Sequence, residues 1–459
     1  MSSVHPRRPL ILSVLVLTLV TGWASPPGGG KPSLRKRQKE LQSAVRKGDA
    51  TAAAAAIREI AALKTSDAME TLLLAALAIP DQETYASLRK AFVRVEAGKG
   101  LDFLNKVISR PLKVARKFER WQLRALLAEA FASRRDESTF APLVAALSDD
   151  NFPVRRAAIR ALAKRGDRRA IPALIDLLEA EENDPGILWE EALRGLQILT
   201  DTGIIEAVDW GNWWAAHQED APPRPAGRKR RSDDQEKTQS PTFFGVKLIS
   251  KRIVFLIDVS GSMRLADPTV GGEQPKGDET KERPGSRVWR RARERLSRAK
   301  NELISTLNKL RPSVRFNIVA FAGSLEAFAP RALIPAYPMN LKEAIRFVQD
   351  LEARGGTATD DALREGFLFK EANTIVLLSD GVPAKANGDN PTSGEIIEMV
   401  RRRNRFRKAR IYTFGFDGMG IRPPGMRNFP RMGPEILEEF RQMMQKLAEE
   451  NEGTYTSIR

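Results

Sequence analysis

The spacing of apolar residues changes period once along the chain, near residue 242. From about residue 35 to 218, apolar positions recur at helical spacing, as in 68–77 (AMETLLLAAL), within a background of Ala, Leu, Arg and Glu. This predicts an all-α domain over 35–218. From 242 onward, short apolar runs alternate with amphipathic stretches. The runs 252–258 (RIVFLID), 314–321 (VRFNIVAF), 373–380 (NTIVLLSD), 410–416 (RIYTFGF) and 454–458 predict strands. Helices are expected over 288–310, 341–351, 360–368, 394–407 and 434–450. Strands apolar at successive positions are buried on both faces, as in a parallel sheet. The expected fold over 242–459 is therefore a doubly wound α/β domain, with 243–248 as an added edge strand.

The helical region carries a repeat. Residues 140–166 read FAPLVAALSDDNFPVRRAAIRALAKRG and 170–199 read AIPALIDLLEAEENDPGILWEEALRGLQIL. Pro142 aligns with Pro172, Leu147 with Leu177, Ala158 with Ala192 and Leu162 with Leu196. Each unit is a proline-started helix, an acidic turn and a second helix, and a period of roughly 30–35 residues marks an α-solenoid. The units resemble HEAT-like repeats, especially in the turn 149–156 (DDNFPVRR). That resemblance implies stacked helix pairs, because one unit cannot bury its own apolar face. It also implies an extended protein-binding surface. Between 34 and 134 helices are expected without a clean repeat. Trp210, Trp213 and Trp214 end the region and are read as a cap on the last repeat, with an aromatic binding patch as the alternative.

The N-terminus has a basic start (His5, Arg7, Arg8), an apolar run over 10–20 (LILSVLVLTLV) and small residues at Gly22 and Ala24. This predicts a signal peptide, 1–24. Its apolar run is shorter than the roughly 20 residues a spanning helix needs. Export follows as the expectation, to periplasm, cell surface or medium, and an uncleaved N-terminal membrane anchor is the alternative. Residues 25–34 (with PPGGGKP) are expected to be a spacer, and 219–241 a disordered basic linker. The run Arg228-Lys229-Arg230-Arg231 is read as a solvated charge run, so no specific nucleic-acid partner is expected. No later segment reads as a membrane span.

Composition narrows the chemistry. The 459 residues are 42% hydrophobic, enough to build cores. There is no cysteine, which removes disulfides, thiolate nucleophiles and Cys-ligated metals. The two histidines, His5 and His217, exclude a multi-histidine zinc site. A formal net charge of +17 favours anionic partners, from acidic protein faces to polyanionic polymers.

One constellation carries chemistry. The strand 252–258 ends in Asp258-Val259-Ser260-Gly261-Ser262-Met263. In an open parallel sheet, ligands bind beyond the carboxyl ends of the strands. Asp258, Ser260 and Ser262 would lie there, with Gly261 letting the backbone bend. The loop 355–363 (GGTATDDAL) and Asp380, at the end of strand 373–380, would have to reach the same place. Together Asp258, Ser260, Ser262, Thr357 and Asp380 offer only hard oxygen donors, suited to Mg²⁺ or Mn²⁺ rather than zinc or copper.

These residues resemble the metal-ion-dependent adhesion site of von Willebrand factor type A domains. They match it in the Asp-x-Ser-x-Ser loop, the Gly-Gly-Thr loop and the strand ending in Ser-Asp-Gly. The resemblance spans 242–459. It implies direct metal ligation by Ser260, Ser262 and Thr357, with Asp258 and Asp380 acting largely through water. It further implies that a partner's Asp or Glu completes the shell. Residues 264–287 depart from the pattern as a long polar insertion, expected to be a mobile loop beside the metal.

The function expected is that of an exported adhesion or scaffold protein, not an enzyme. The α/β domain would dock an acidic protein partner through Mg²⁺, and the repeats would offer a second surface. A charge-driven polyanion binder and a metal-dependent hydrolase are the alternatives. Thr359 is expected to cap the helix starting at Asp360 rather than act as a nucleophile. Met419, Met426, Met432, Met443 and Met444 are expected to pack rather than bind a soft metal.

Overall fold

The computed structural model describes residues 32–109, 120–217, 241–267, 293–384, 388, 390–416, 418 and 433–458. They form two compact units. The sequence expectations for 1–24, for most of 219–241, for 268–287 and for Met419, Met426 and Met432 lie outside the described residues.

The first unit is helical: α1 (Pro32–Lys47), α2 (Ala50–Ala61), α3 (Ser66–Ala75), α4 (Gln82–Val93), α5 (Lys99–Ile108), α6 (Trp121–Phe131), α7 (Phe140–Ala146), α8 (Phe152–Arg165), α9 (Ile171–Ala180), α10 (Ile187–Thr200) and α11 (Ala207–His217). Helix α1 begins inside the stretch expected to be spacer, at Pro32. Asp49, Thr65 and Asp81 cap α2, α3 and α4 by accepting a backbone N–H with their side chains. The two aligned units repeat one element order: a short 3-10 turn (Glu137–Thr139, Arg168–Ala170), a proline-bearing helix, then a longer helix. Gly166 ends α8 in the left-handed region, φ 69°, where glycine alone carries no Cβ penalty. The aligned pairs Ala158/Ala192 and Leu162/Leu196 are all fully buried.

Buried ion pairs tie together segments that are not adjacent in the chain. Arg124 Nε donates to Asp149 Oδ2 at 2.6 Å and Nη2 to Oδ1 at 3.1 Å, both side chains fully buried. Asp149 also accepts the Asn151 N–H at 2.8 Å, which fixes the acidic turn before α8. Arg156 Nε donates to Glu191 Oε1 at 3.0 Å between α8 and α10. At the end of the unit Trp210 is fully buried, while Trp213 packs edge-on against it at 6.0 Å and stacks on His217 at 4.3 Å.

The second unit contains β1 (Thr242–Phe243), β2 (Val246–Lys247), β3 (Arg252–Asp258), α12 (Arg295–Leu307), β4 (Arg315–Phe321), β5 (Leu325–Ala327), β6 (Ile334–Pro335), α13 (Pro338–Asp350), α14 (Thr359–Gly366), β7 (Thr374–Ser379), α15 (Ser393–Asn404), β8 (Arg410–Gly415), α16 (Pro434–Glu449) and β9 (Tyr455–Ser457). The sheet runs β5-β4-β3-β7-β8-β9, with β6 also on β4. Strands β4, β3, β7, β8 and β9 are mutually parallel, and β5 and β6 pair antiparallel with β4. Alternate residues of β3 feed two cores. Ile253, Phe255 and Ile257 pack with Leu303 and Leu307 of α12 and Val348 of α13. Val254 and Leu256 pack with Leu363 of α14, Val400 of α15 and Phe440 and Met444 of α16. Each such side chain contributes about 1.5–3 kcal/mol through burial. Met443 is buried in this second core as well.

The fold departs from the sequence reading in places. Segment 243–248 is not an edge strand of the main sheet but a separate β1–β2 hairpin. Its turn, Phe244-Gly245, has φ 44° and 78°, the paired positive values that a tight hairpin turn demands. Phe243 drops from it into the core, 4.8 Å from the Phe414 ring. Among the described residues Arg293 is helical, Glu294 pairs with Ala266 as an antiparallel bridge, and helix α12 runs from Arg295; the start of the helix expected from 288 lies outside the described residues. The first residues of the polar insertion are therefore not mobile loop: Leu265, Ala266 and Asp267 are buried.

Candidate metal centre

Two adjacent parallel strands deliver the carboxylates. The β3–β7 register places Ile257 opposite Leu378, so both strands end at one level, with Asp258 last in β3 and Asp380 just past β7. The chain leaves β3 toward β4 and leaves β7 toward β8, on opposite sides of this pair. The crevice between them is the switch point, where such sheets bind ligands.

A chain of hydrogen bonds links the loops. The Ser260 N–H donates to Asp258 Oδ1 at 2.8 Å. Ser260 Oγ and Ser262 Oγ are 2.9 Å apart, and Ser262 Oγ donates to Asp380 Oδ1 at 2.6 Å. Ser379 Oγ donates to Asp258 Oδ2 at 2.5 Å. Asp258, Ser260, Ser262 and Asp380 thus meet at one place. The Gly261 N–H donates to Gly355 O at 3.0 Å, stitching on the third loop. Thr357 stands on that loop, half of a two-way backbone bridge with Ala384, whose bonds are 2.9 Å each way. Among the described residues the hydrogen bonds of the cluster link Asp258, Ser260, Ser262, Ser379 and Asp380 and do not include the Thr357 hydroxyl.

Both carboxyls are fully buried, and their electrostatics are strained. Burial, then the neighbouring charge of Asp380, pushes Asp258 up to about 7. Burial also raises Asp380, against the opposing pull of Arg295 and of the Ser262 hydroxyl. Burial is the largest cause of both shifts, and a cation beside the pair would favour the ionised carboxylates. The cluster's donors are carboxylate and hydroxyl oxygens throughout, a set that fits a hard divalent cation such as Mg²⁺ or Mn²⁺. Among the described residues no group of three or more His, Cys, Asp and Glu gathers to hold a metal, and His217 ends α11 in the other unit, stacked on Trp213.

Three participants were given no role of their own in the sequence reading. Arg295 is fully buried and donates from Nη1 to Asp380 Oδ2 at 2.9 Å. Asp267 accepts Arg295 Nε at 3.0 Å and also pairs with Arg298. Ser379 was read only as part of the Ser-Asp-Gly strand end, with no contact to Asp258 expected. Arg295 lies in the run 290–295 (RRARER), which composition marks as a solvated face, so no sequence signal singled it out. Thr359 is not the cap: it is the first residue of α14 behind Ala358, and its buried Oγ1 has no hydrogen-bond partner among the described residues.

Comparison with known proteins agrees with this layout. Residues 253–382 match the family model described as von Willebrand factor type A domain, and 108–194 that of HEAT repeats. Inter-alpha-trypsin inhibitor heavy chain H3 of Bos taurus is 26% identical over 169 residues, 34% of this chain and 15% of that protein. von Willebrand factor A domain-containing protein 3B of Homo sapiens is 31% identical over 124 residues, 27% of this chain and 9% of that protein. The chain thus spans less than a fifth of these curated relatives. The solved von Willebrand factor type A structure from Catenulispora acidiphila aligns at 20% identity and a TM-score of 0.30, covering 46% of this chain and 40% of that one.

Proposed function

From a chain in which residues 253–382 form a von Willebrand factor type A domain and 108–194 form HEAT repeats, we propose a protein-docking role centred on a divalent cation at Asp258, Ser260, Ser262, Thr357 and Asp380. The carrying observation is the hydrogen-bonded convergence of Asp258, Ser260, Ser262 and Asp380 at the switch point, with both carboxyls fully buried. Ser260, Ser262 and Thr357 supply hydroxyl oxygens, and Asp258 and Asp380 supply charge. A bound Mg²⁺ or Mn²⁺ keeps a coordination position for an outside oxygen, which an acidic side chain of a partner would fill. The protein's own residues do the rest: Ser379 and the Ser260 N–H orient Asp258, and the Gly261–Gly355 bond holds the loops together.

The docking reading rests on the match to a von Willebrand factor type A domain; among the described residues no His or Lys joins the hydrogen bonds of the cluster. The HEAT repeats offer a second protein surface, and two linked surfaces gain avidity. The pattern of segment 1–24 supports export. Among the described residues no helix is long and apolar enough to cross a membrane.

Selection of the full chain on a random-peptide display library in Mg²⁺, with elution by EDTA, tests the reading. Enrichment of Asp- or Glu-bearing peptides released by EDTA supports it. Binding that ignores EDTA but weakens steeply with salt contradicts it, and indicates polyanion capture by the +17 charge instead.

A further inference from the structure

We propose that Arg295 is a positioning residue of this centre: it fixes which oxygen of Asp380 meets the serine pair and anchors that carboxylate to Asp267. The inference rests on the metal reading above. All three guanidinium nitrogens are engaged, Nη1 with Asp380 Oδ2 at 2.9 Å, Nε with Asp267 Oδ1 at 3.0 Å and Nη2 with Gly418 O at 2.6 Å. A guanidinium is a rigid planar fork, so three bonds in three directions fix its plane. With Oδ2 occupied, Asp380 turns Oδ1 to Ser262, which in turn contacts Ser260.

The anchor is itself built in. The Asp267 N–H donates to Arg293 O at 3.1 Å, Arg293 Nε donates to Asp267 O at 2.8 Å, and Arg298 pairs with Asp267 Oδ2. Phe416 lies under both guanidinium groups, at 5.8 Å from Arg295 and 5.4 Å from Arg298. The root of the polar insertion and the first turn of α12 thus set the geometry of a ligand loop far away in sequence.

Two effects of Arg295 on a cation oppose each other. Its charge repels the ion, while its hydrogen bonds prearrange the carboxylate. The signs differ, so one measurement separates them. Mn²⁺ binding to the full chain is followed by electron paramagnetic resonance in wild type, Arg295→Met, Arg295→Lys and Asp267→Asn, with thermal midpoints recorded alongside. Loss of an outer group that orients the residues around a metal costs about 10–100-fold in metal affinity, which is the weakening expected for Arg295→Met. Arg295→Lys should fall between it and wild type, and Asp267→Asn should weaken binding to a smaller degree. A merely structural Arg295 would lower the midpoint yet leave the dissociation constant of the folded protein unchanged. Equal or tighter binding in folded Arg295→Met overturns the proposal. If that variant does not fold, wild-type affinity in both Arg295→Lys and Asp267→Asn overturns it. Wild type that binds no Mn²⁺ overturns the metal reading itself, and this inference with it.

Discussion

Ser262 Oγ donates to Asp380 Oδ1 at 2.6 Å, joining residues 118 positions apart in the chain. The contact exists because β3 and β7 are neighbours in register, so the loops leaving them must meet. The two carboxylates of the centre are unequal. Asp380 is braced by Arg295, whereas among the described residues Asp258 receives neutral donors, the Ser260 N–H and the Ser379 hydroxyl.

That inequality predicts opposite stability effects. Asp380→Ala leaves the buried Arg295 short of one partner, and breaking a buried ion pair costs about 3–5 kcal/mol. Asp258→Asn removes a charge that burial already disfavours, so the ion-free protein should be as stable as wild type or more so. Urea denaturation in EDTA measures both. An Asp258→Asn loss as large as that of Asp380→Ala contradicts the asymmetry.

The pH dependence follows from Asp258. Its carboxyl is raised from an ordinary 3.8 to about 7, so between these values the folded chain holds a proton that the unfolded chain has lost. Stability from this group is therefore present at low pH and is lost as pH rises toward about 7. In EDTA, the melting midpoint of the α/β unit should climb as pH falls from neutrality to about 5, and Asp258→Asn should flatten that rise. Ion affinity should run the other way and increase with pH, because the cation needs the carboxylate. A midpoint that does not respond to pH in wild type contradicts the assignment.

In the helical unit the Arg124–Asp149 pair is fully buried, with Asp149 held below its usual range by Arg124 and Asn151 against the cost of burial. Arg124→Met removes the buried cation facing that carboxylate and should cost about 3–5 kcal/mol. Leu162→Ala, at a fully buried position, should cost about 2–5 kcal/mol. Ile198→Ala, at 62% exposure, should stay within about 0.5 kcal/mol. Chemical denaturation followed by tryptophan fluorescence ranks the three.

How much of this was legible beforehand depended on pattern length. The β3 and β7 runs are apolar at nearly every position and announce buried parallel strands, and the residues ending them point to the centre. The strands β5 and β6 span three and two residues, too short for any periodicity, and were not expected. The β1–β2 hairpin was misassigned because its Phe-Gly turn needs two positive φ angles, which a Phe does not advertise. Helix α14 begins at Thr359 rather than Asp360, because the backbone of Ala358 is the cap and the threonine hydroxyl is buried. Arg295 was illegible for a different reason. A buried charge in a basic run looks like its solvated neighbours until its partners, Asp380 and Asp267, are placed in space.

Calorimetric titration of Mg²⁺ into the EDTA-stripped full chain tests the central claim most directly. The account predicts saturable binding of one ion per chain, absent in an Asp258→Ala variant whose circular dichroism is native. Featureless heats in the wild type, or the same isotherm in that variant, would contradict it.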